Sequence, residues 1–271
     1  MTDPRAALGI HALREMKTRG ERIVTLTCYD ALFARLLDAA GVDVLLVGDS
    51  VNQVLGGAET TLSATLEQMI YHTKLVRRGA TRALVICDMP FLSYQVSRED
   101  AIRNCGRVLA ETGCHGVKLE GGRHVVDTVR ALVEVGIPVM GHLGLTPQSL
   151  HALGGYRVQG RDEPAAARLR EDAQALAAAG AFALVLELIP APLASQITKA
   201  LAIPTIGIGA GPACDGQVLV LHDMLGLNEA FHPKFLKHYA ALAEEVRQAV
   251  ELYAAEVREG RYPGPEHSIA P

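Results

Sequence analysis

Residues 43–50 read DVLLVGDS: an apolar run, a glycine, then an acid and a hydroxyl side by side. A short apolar run stopped by glycine is the pattern of a strand buried on both faces. Asp49 and Ser50 then stand just past its carboxyl end, where α/β sheets place their chemistry. The pattern recurs: LVICD ends at Asp88, HGVKLE at Glu120 and FALVLE at Glu187. Packing alone does not account for buried-strand signals that each finish in a carboxylate.

Working outward, strands are expected at 23–27, 43–47, 83–87, 116–119, 137–140, 183–186, 205–208 and 218–221, alternating with helices. The helix at 65–78 shows its stripe in Leu66, Met69, Ile70, Thr73 and Val76. Ser97 and Asp100 have the spacing of a capping box at the start of another. Strand–helix alternation implies parallel strands joined by right-handed crossovers. Eight such units, with no linker or change of composition, favour an α/β protein with a closed (β/α)8 TIM-type barrel over a doubly wound open sheet. Residues 1–271 are expected to form one barrel domain with an N-terminal helix at 7–19. A long C-terminal helix is expected to carry Phe235, Tyr239, Leu242, Val246, Val250, Tyr253 and Val257 on one face.

Composition narrows the function classes. The chain has 271 residues, 49% hydrophobic and 21% charged, enough for a substantial core. A net charge of −4 without a Lys/Arg block argues against a nucleic-acid partner. No apolar run approaches the roughly 20 residues of a membrane span, and the first residues lack a signal peptide's apolar core. A cytoplasmic location without membrane contact is the expectation. The five cysteines include no CxxC pair, which suits reduced thiols. Cys87, beside Asp88 at a strand end, is either a reactive thiol or a small buried hydrophobe.

Asp49, Asp88 and Glu120 are spaced by about one strand–helix repeat each, so they close neighbouring strands. Glu187 follows about two repeats later, across the barrel mouth. Three converging acids repel one another unless a cation neutralises them. Oxygen ligands without adjacent Cys or His suit Mg2+, held through one or two carboxylates with the rest acting through water. Lys118 shares a strand face with Glu120 and can pair with it, bind an anionic substrate, or form a Schiff base. A divalent ion makes the Schiff base redundant and favours anion binding. His142, in GHLGLTPQS, is either a packed residue or a functional one. GGR at 121–123 and IGIGAG at 206–211 offer phosphate cradles or close backbone approach. Residues 143–164, with Gly154 and Gly155 as hinges, form a candidate lid.

Taken together, VGDS, CDMPF, VKLEGG, GHLGLTPQS, GGYRVQG, LELIP and IGIGAG followed by CDGQVLVLHD resemble the ketopantoate hydroxymethyltransferase (3-methyl-2-oxobutanoate hydroxymethyltransferase) family, in order, between residues 25 and 268. GHLGLTPQS with GGYRVQG carries the specificity, and no single carboxylate does. The resemblance implies a (β/α)8 barrel, a homodecamer and the first committed step of pantothenate synthesis. The reaction implied moves a one-carbon unit from 5,10-methylenetetrahydrofolate to 3-methyl-2-oxobutanoate, giving 2-dehydropantoate. By motif, Asp49 and Asp88 resemble direct Mg2+ ligands, with Glu120 completing the site. Ser50 and Lys118, beside Asp49 and Asp88, resemble contacts to the 2-oxo acid, and Glu187 resembles the proton acceptor. An apolar neighbourhood is expected to raise the proton affinity of Glu187.

The chain departs from the family pattern at Val51-Asn52, where Leu-Gly is expected, and around Glu187 in LELIP. Two other readings compete. A relative of the phosphoenolpyruvate mutase and isocitrate lyase enzymes would cleave a C–C bond or move a phosphoryl group. The lyases among them carry a KxCGH-like run that this chain lacks. A catalytically silent metabolite-binding barrel would differ only in showing no turnover with folate.

Overall fold

The computed structural model describes residues 7–269. Through Val220 the chain folds as one compact unit, and from Leu221 as a second. In the first, α1 (Ile10–Arg19) leads to β1 (Ile23–Thr27), α2 (Ala31–Ala39), β2 (Val44–Val47), and the short α3 (Val51–Val54). Then come α4 (Leu66–Gly79), β3 (Leu84–Asp88), α5 (Arg98–Thr112), β4 (Gly116–Glu120), and α6 (Val126–Glu134). β5 (Val139–Gly144), α7 (Leu150–Leu153), α8 (Glu163–Ala178), β6 (Ala183–Glu187), α9 (Ala191–Ala200), β7 (Thr205–Ile208) and β8 (Gly216–Leu219) complete the unit.

The strands form a closed barrel in sequence order, every pair parallel, with β8 returning to β1. This is the (β/α)8 architecture expected from the strand–helix alternation. Strand side chains alternate between the barrel interior and the surrounding helices. Val44, Leu46, Leu84, Ile86, Met140, Ala183, Val185 and Ile206 point inward and pack into one cluster with Leu13 and Met16 of α1. α1 therefore plugs the amino-terminal end of the barrel. The same alternation carries Asp88, two residues after Ile86, and Glu187, two after Val185, into the interior at the carboxyl end.

The helix starts follow from local chemistry. Thr65 caps α4 with a complete capping box, since Thr65 Oγ1 accepts from Gln68 N and Gln68 Oε1 from Thr65 N. Ser97 caps α5 by accepting from Asp100 N. The expected return bond differs: Ser97 Oγ itself donates to Asp100 Oδ2, so the box is not reciprocal.

The second unit contains α10 (Leu221–Met224) and α11 (Leu242–Arg258). The helix expected to begin near Phe235 starts only at Leu242. Before it, Tyr239 N donates to Met224 O at 2.8 Å and Leu242 N to Leu225 O at 3.0 Å. Those N–H groups bond outside the helical i to i−4 pattern, and Pro233 supplies none. Among the described residues, no helix is long and apolar enough to cross a membrane.

Candidate active site

The carboxyl end of the barrel gathers the residues singled out by the strand-end pattern. Asp49 follows β2, Asp88 ends β3, Lys118 and Glu120 lie on β4, His142 on β5, and Glu187 ends β6. Register brings them level: Asp88 faces Lys118, Glu120 faces His142, and Gly144 faces Glu187. Gly144 has φ 98°, and a Cβ there would stand 2.0 Å from the Glu187 carbonyl oxygen. Only glycine lets β5 approach the base of Glu187 so closely.

Asp49, Asp88, Lys118, Glu120 and His142 are all buried. Lys118 Nζ lies 3.0 Å from Asp88 Oδ1 and 3.7 Å from Glu120 Oε1. Asp49 N donates to Asp88 Oδ2 at 3.1 Å. His142 Nδ1 lies 3.3 Å from Glu120 Oε1, and its Nε2 lies 3.2 Å from Glu187 Oε2. Lys118 Nζ also stands 3.1 Å from His142 Nδ1. A proton on Nδ1 suits Glu120, whereas a lone pair there suits Lys118. Burial and the Lys118 charge lower the proton affinity of His142, yet Glu120 and Glu187 outweigh them and raise it to about 8. The imidazolium, flanked by two carboxylates, is thus the favoured form.

Burial, then Asp88 and Glu120, push the Asp49 carboxyl up to about 8. Burial also raises Asp88, against the pull of Lys118. Glu120 goes the other way: burial raises it, but contacts with His142 and Lys118 prevail and lower it. Burial disfavours the Lys118 ammonium, but the surrounding carboxylates prevail and raise its proton affinity. Negative charge is therefore in excess around one lysine. Asp88 Oδ1 and Glu120 Oε1 are buried without an aligned hydrogen bond and meet only the nearby Lys118 and His142 charges. Among the described residues no three His, Cys, Asp or Glu side chains are grouped as a metal shell. Lys118 stands between Asp88 and Glu120. The oxygen-only donor set still fits a hard cation bound through one or two carboxylates and completed by water.

Glu187 departs from one expectation. Its side chain is 16% exposed and paired with His142, so its neighbourhood is not apolar. Ser50 Oγ and the buried Tyr29 hydroxyl share a hydrogen bond of 2.8 Å. The departure at Val51-Asn52 has a structural role. Asn52 Nδ2 donates to Thr60 O at 2.9 Å and Ser63 Oγ at 2.8 Å, pinning the loop after α3.

Other candidates lie outside the chemistry. Cys87 is fully buried, and burial raises its thiol, so it is a packed hydrophobe rather than a reactive group. The GGR turn holds no anion, because Asp172 fills it: its Oδ1 accepts from Arg123 N at 3.2 Å and from Arg123 Nε at 3.1 Å. In IGIGAG, a Cβ at Gly211 would stand 2.4 Å from Ala191 Cβ, which is close approach of the chain to α9. The candidate lid is tethered in its second half, at Tyr156 and Gln159. Gln159 N donates to Leu188 O at 2.9 Å, and Gln53 Nε2 donates to the Tyr156 hydroxyl at 3.3 Å.

Two site residues escape the strand-end pattern. Tyr94 and Gln148 are buried beside the acids, yet Tyr94 sits in an irregular stretch and Gln148 in a single 3-10 turn (Pro147–Ser149), where no periodicity marks them. The one signal was the position of Gln148 inside GHLGLTPQS.

A family model described as ketopantoate hydroxymethyltransferase matches residues 7–265. A protein of Pelobacter propionicus named 3-methyl-2-oxobutanoate hydroxymethyltransferase is 55% identical over 269 residues, covering 99% of this chain and 100% of its own. One of the same name from Moorella thermoacetica is 56% identical over 265 residues, 98% of each chain. Among solved structures, a 2,3-dimethylmalate lyase aligns with TM-score 0.58 at 19% identity, covering 97% of this chain and 92% of that one. A phosphonopyruvate hydrolase aligns with TM-score 0.63 at 12% identity, covering 97% and 91%. At such identities these two show a shared fold alone.

Proposed function

The chain belongs to the ketopantoate hydroxymethyltransferase family, and from that premise we propose how its barrel mouth performs hydroxymethyl transfer to 3-methyl-2-oxobutanoate. The observation that carries the reading is the convergence of Asp49, Asp88, Lys118, Glu120, His142 and Glu187 at one end of adjacent strands. The donor of the one-carbon unit is 5,10-methylenetetrahydrofolate, and the product is 2-dehydropantoate.

Asp49 and Asp88 would hold Mg2+, and Glu120, engaged by His142 and close to Lys118, would complete its site. When bound, the ion supplies Lewis acidity that polarises the 2-oxo group. The Lys118 ammonium and the Ser50 hydroxyl receive the anionic oxygens of the 2-oxo acid, with Asp49 and Asp88 lining the same pocket. A lysine whose proton is held by carboxylates is a poor amine nucleophile, which disfavours a Schiff base.

Glu187 stands across the mouth from the β2–β4 acids and accepts the proton from C3 of the substrate. His142 lies 3.2 Å behind it and holds the carboxylate in place. The C3 electron pair then forms a C–C bond to the methylene carbon as one of that carbon's two C–N bonds to the folate breaks, and the freed nitrogen takes up the proton held by Glu187. Water breaks the second C–N bond, leaving its OH on the carbon and its proton on the other nitrogen, so that tetrahydrofolate leaves. Residues 143–164 cover this chemistry as the lid.

The assembly we propose is a homodecamer. Its support is the family resemblance together with Val246, Val250, Tyr253 and Val257 of α11, which are 45–58% exposed. The test of function is tetrahydrofolate release. It should require both 3-methyl-2-oxobutanoate and a divalent cation; release without the 2-oxo acid would overturn the reading.

A further inference from the structure

Gln148 sits between β5 and α7 on the first turn beyond the barrel, and it is 6% exposed. Nε2 donates to Asp49 Oδ2 at 3.0 Å and to Met89 O at 2.8 Å. Oε1 accepts from the Tyr94 hydroxyl at 2.8 Å and from Gln95 Nε2 at 3.1 Å. The backbone N–H of Gln148 donates to Glu120 Oε2 at 3.0 Å. Both amide hydrogens and the amide oxygen are thus engaged. Met89 O is a carbonyl and accepts only, so the amide has one possible orientation, with its NH2 toward Asp49.

Tyr94 extends the arrangement to β4. Its hydroxyl accepts from Glu120 N at 3.1 Å while donating to Gln148. Asp49 and Glu120 come from different strands, and Gln148 fixes one oxygen of each. The second oxygen of Glu120, Oε1, is buried without an aligned hydrogen bond and faces His142 Nδ1 at 3.3 Å and Lys118 Nζ at 3.7 Å. A carboxylate pinned by one oxygen presents the other in a fixed direction, which is how outer contacts orient metal-binding groups.

We propose that Gln148 is a positioning residue for the divalent cation: its amide and backbone N–H orient Asp49 and Glu120 toward the ion. It also ties the start of the lid segment to the order of the site. This inference rests on the Mg2+ assignment made above. It adds that the carboxylates alone do not make the site, and that a neutral amide supplied after β5 completes it.

The test is Mg2+ titration of the full chain by calorimetry, in the presence of 3-methyl-2-oxobutanoate. It compares the native protein with Gln148→Met, which keeps the length and loses every hydrogen bond of the amide. The dissociation constant should rise about 10–100-fold. Saturating Mg2+ should restore most of kcat, so the loss appears in the Mg2+ requirement rather than in turnover. A role confined to packing would lower Tm and leave the Mg2+ affinity of the folded protein unchanged; that result overturns the inference. Should Gln148→Met fail to fold, Tyr94→Phe decides, because it removes the shorter of the two hydrogen bonds to Oε1 and leaves the other bonds of the amide in place. Weaker Mg2+ binding by that variant supports the proposal and native affinity overturns it. If the native protein binds no Mg2+, the metal assignment itself fails and takes this inference with it.

Discussion

Asp49 is buried among like charges. Burial and two neighbouring carboxylates lift its proton affinity to about 8, against roughly 3.9 for an exposed aspartate. Between those values the native, cation-free protein keeps a proton that the unfolded chain releases. Its stability therefore falls as pH rises through that window. His142, raised to about 8, acts in the same direction, since its stabilising charge is lost as pH passes that value. Glu120, lowered, acts in the opposite sense. In chelator the urea midpoint should be lower at pH 8 than at pH 5.5, and Mg2+ should recover more at pH 8, where the proton competing for Asp49 is about half lost. A midpoint that does not fall across this range would contradict the charge assignment. Lys118 yields a separate expectation. Borohydride added with the 2-oxo acid should leave the protein mass unchanged, because the amine stays protonated; an adduct on Lys118 would move the chain to the Schiff-base class.

At the scale of elements, the strands were legible because a parallel strand buried on both faces is a short apolar run. β2, β3, β4 and β6 each lead into or end in an acid for the same reason: the inward face that packs the core continues to the carboxyl rim. What could not be read was contact between elements. β5 begins at Val139 rather than Ile137 and runs to Gly144, which sets His142 against Glu120. That pairing depends on barrel stagger, which has no local sequence signal. Gln148 was missed for a similar reason: a buried amide in a single 3-10 turn has no period to reveal it. Likewise the stripe from Phe235 reads as helix, while its backbone donors are spent on Met224 and Leu225.

Two substitutions test the elements. Gly144→Ala would force a Cβ against the Glu187 carbonyl at a left-handed φ of 98°. It should displace Glu187 and lower kcat at least tenfold while substrate binding, measured by calorimetry, holds within a few-fold; native kcat would show that β5 does not position the base. Leu13→Ala removes a fully buried side chain of the barrel plug. Denaturant unfolding should show a loss of about 2–5 kcal/mol, the range for such core truncations. A loss under about 0.5 kcal/mol, as for a surface change, would contradict the plug.

For the whole molecule, the barrel delivers acids, a lysine and a histidine from successive strands to one mouth. Light scattering tests the proposed assembly. A mass of ten chains is expected, and Val250→Glu on the exposed face of α11 should lower it; a monomeric native protein would rule the decamer out. The central claim is that this mouth activates the 2-oxo acid by itself, with Glu187 as the base. It is tested most directly by proton NMR of 3-methyl-2-oxobutanoate in D2O with Mg2+ and no folate. The native protein should exchange the C3 hydrogen for deuterium, chelator should stop it, and Glu187→Gln should bind substrate yet exchange about 10²–10⁴-fold more slowly. Exchange at the native rate in Glu187→Gln, or none in the native protein, would contradict the account.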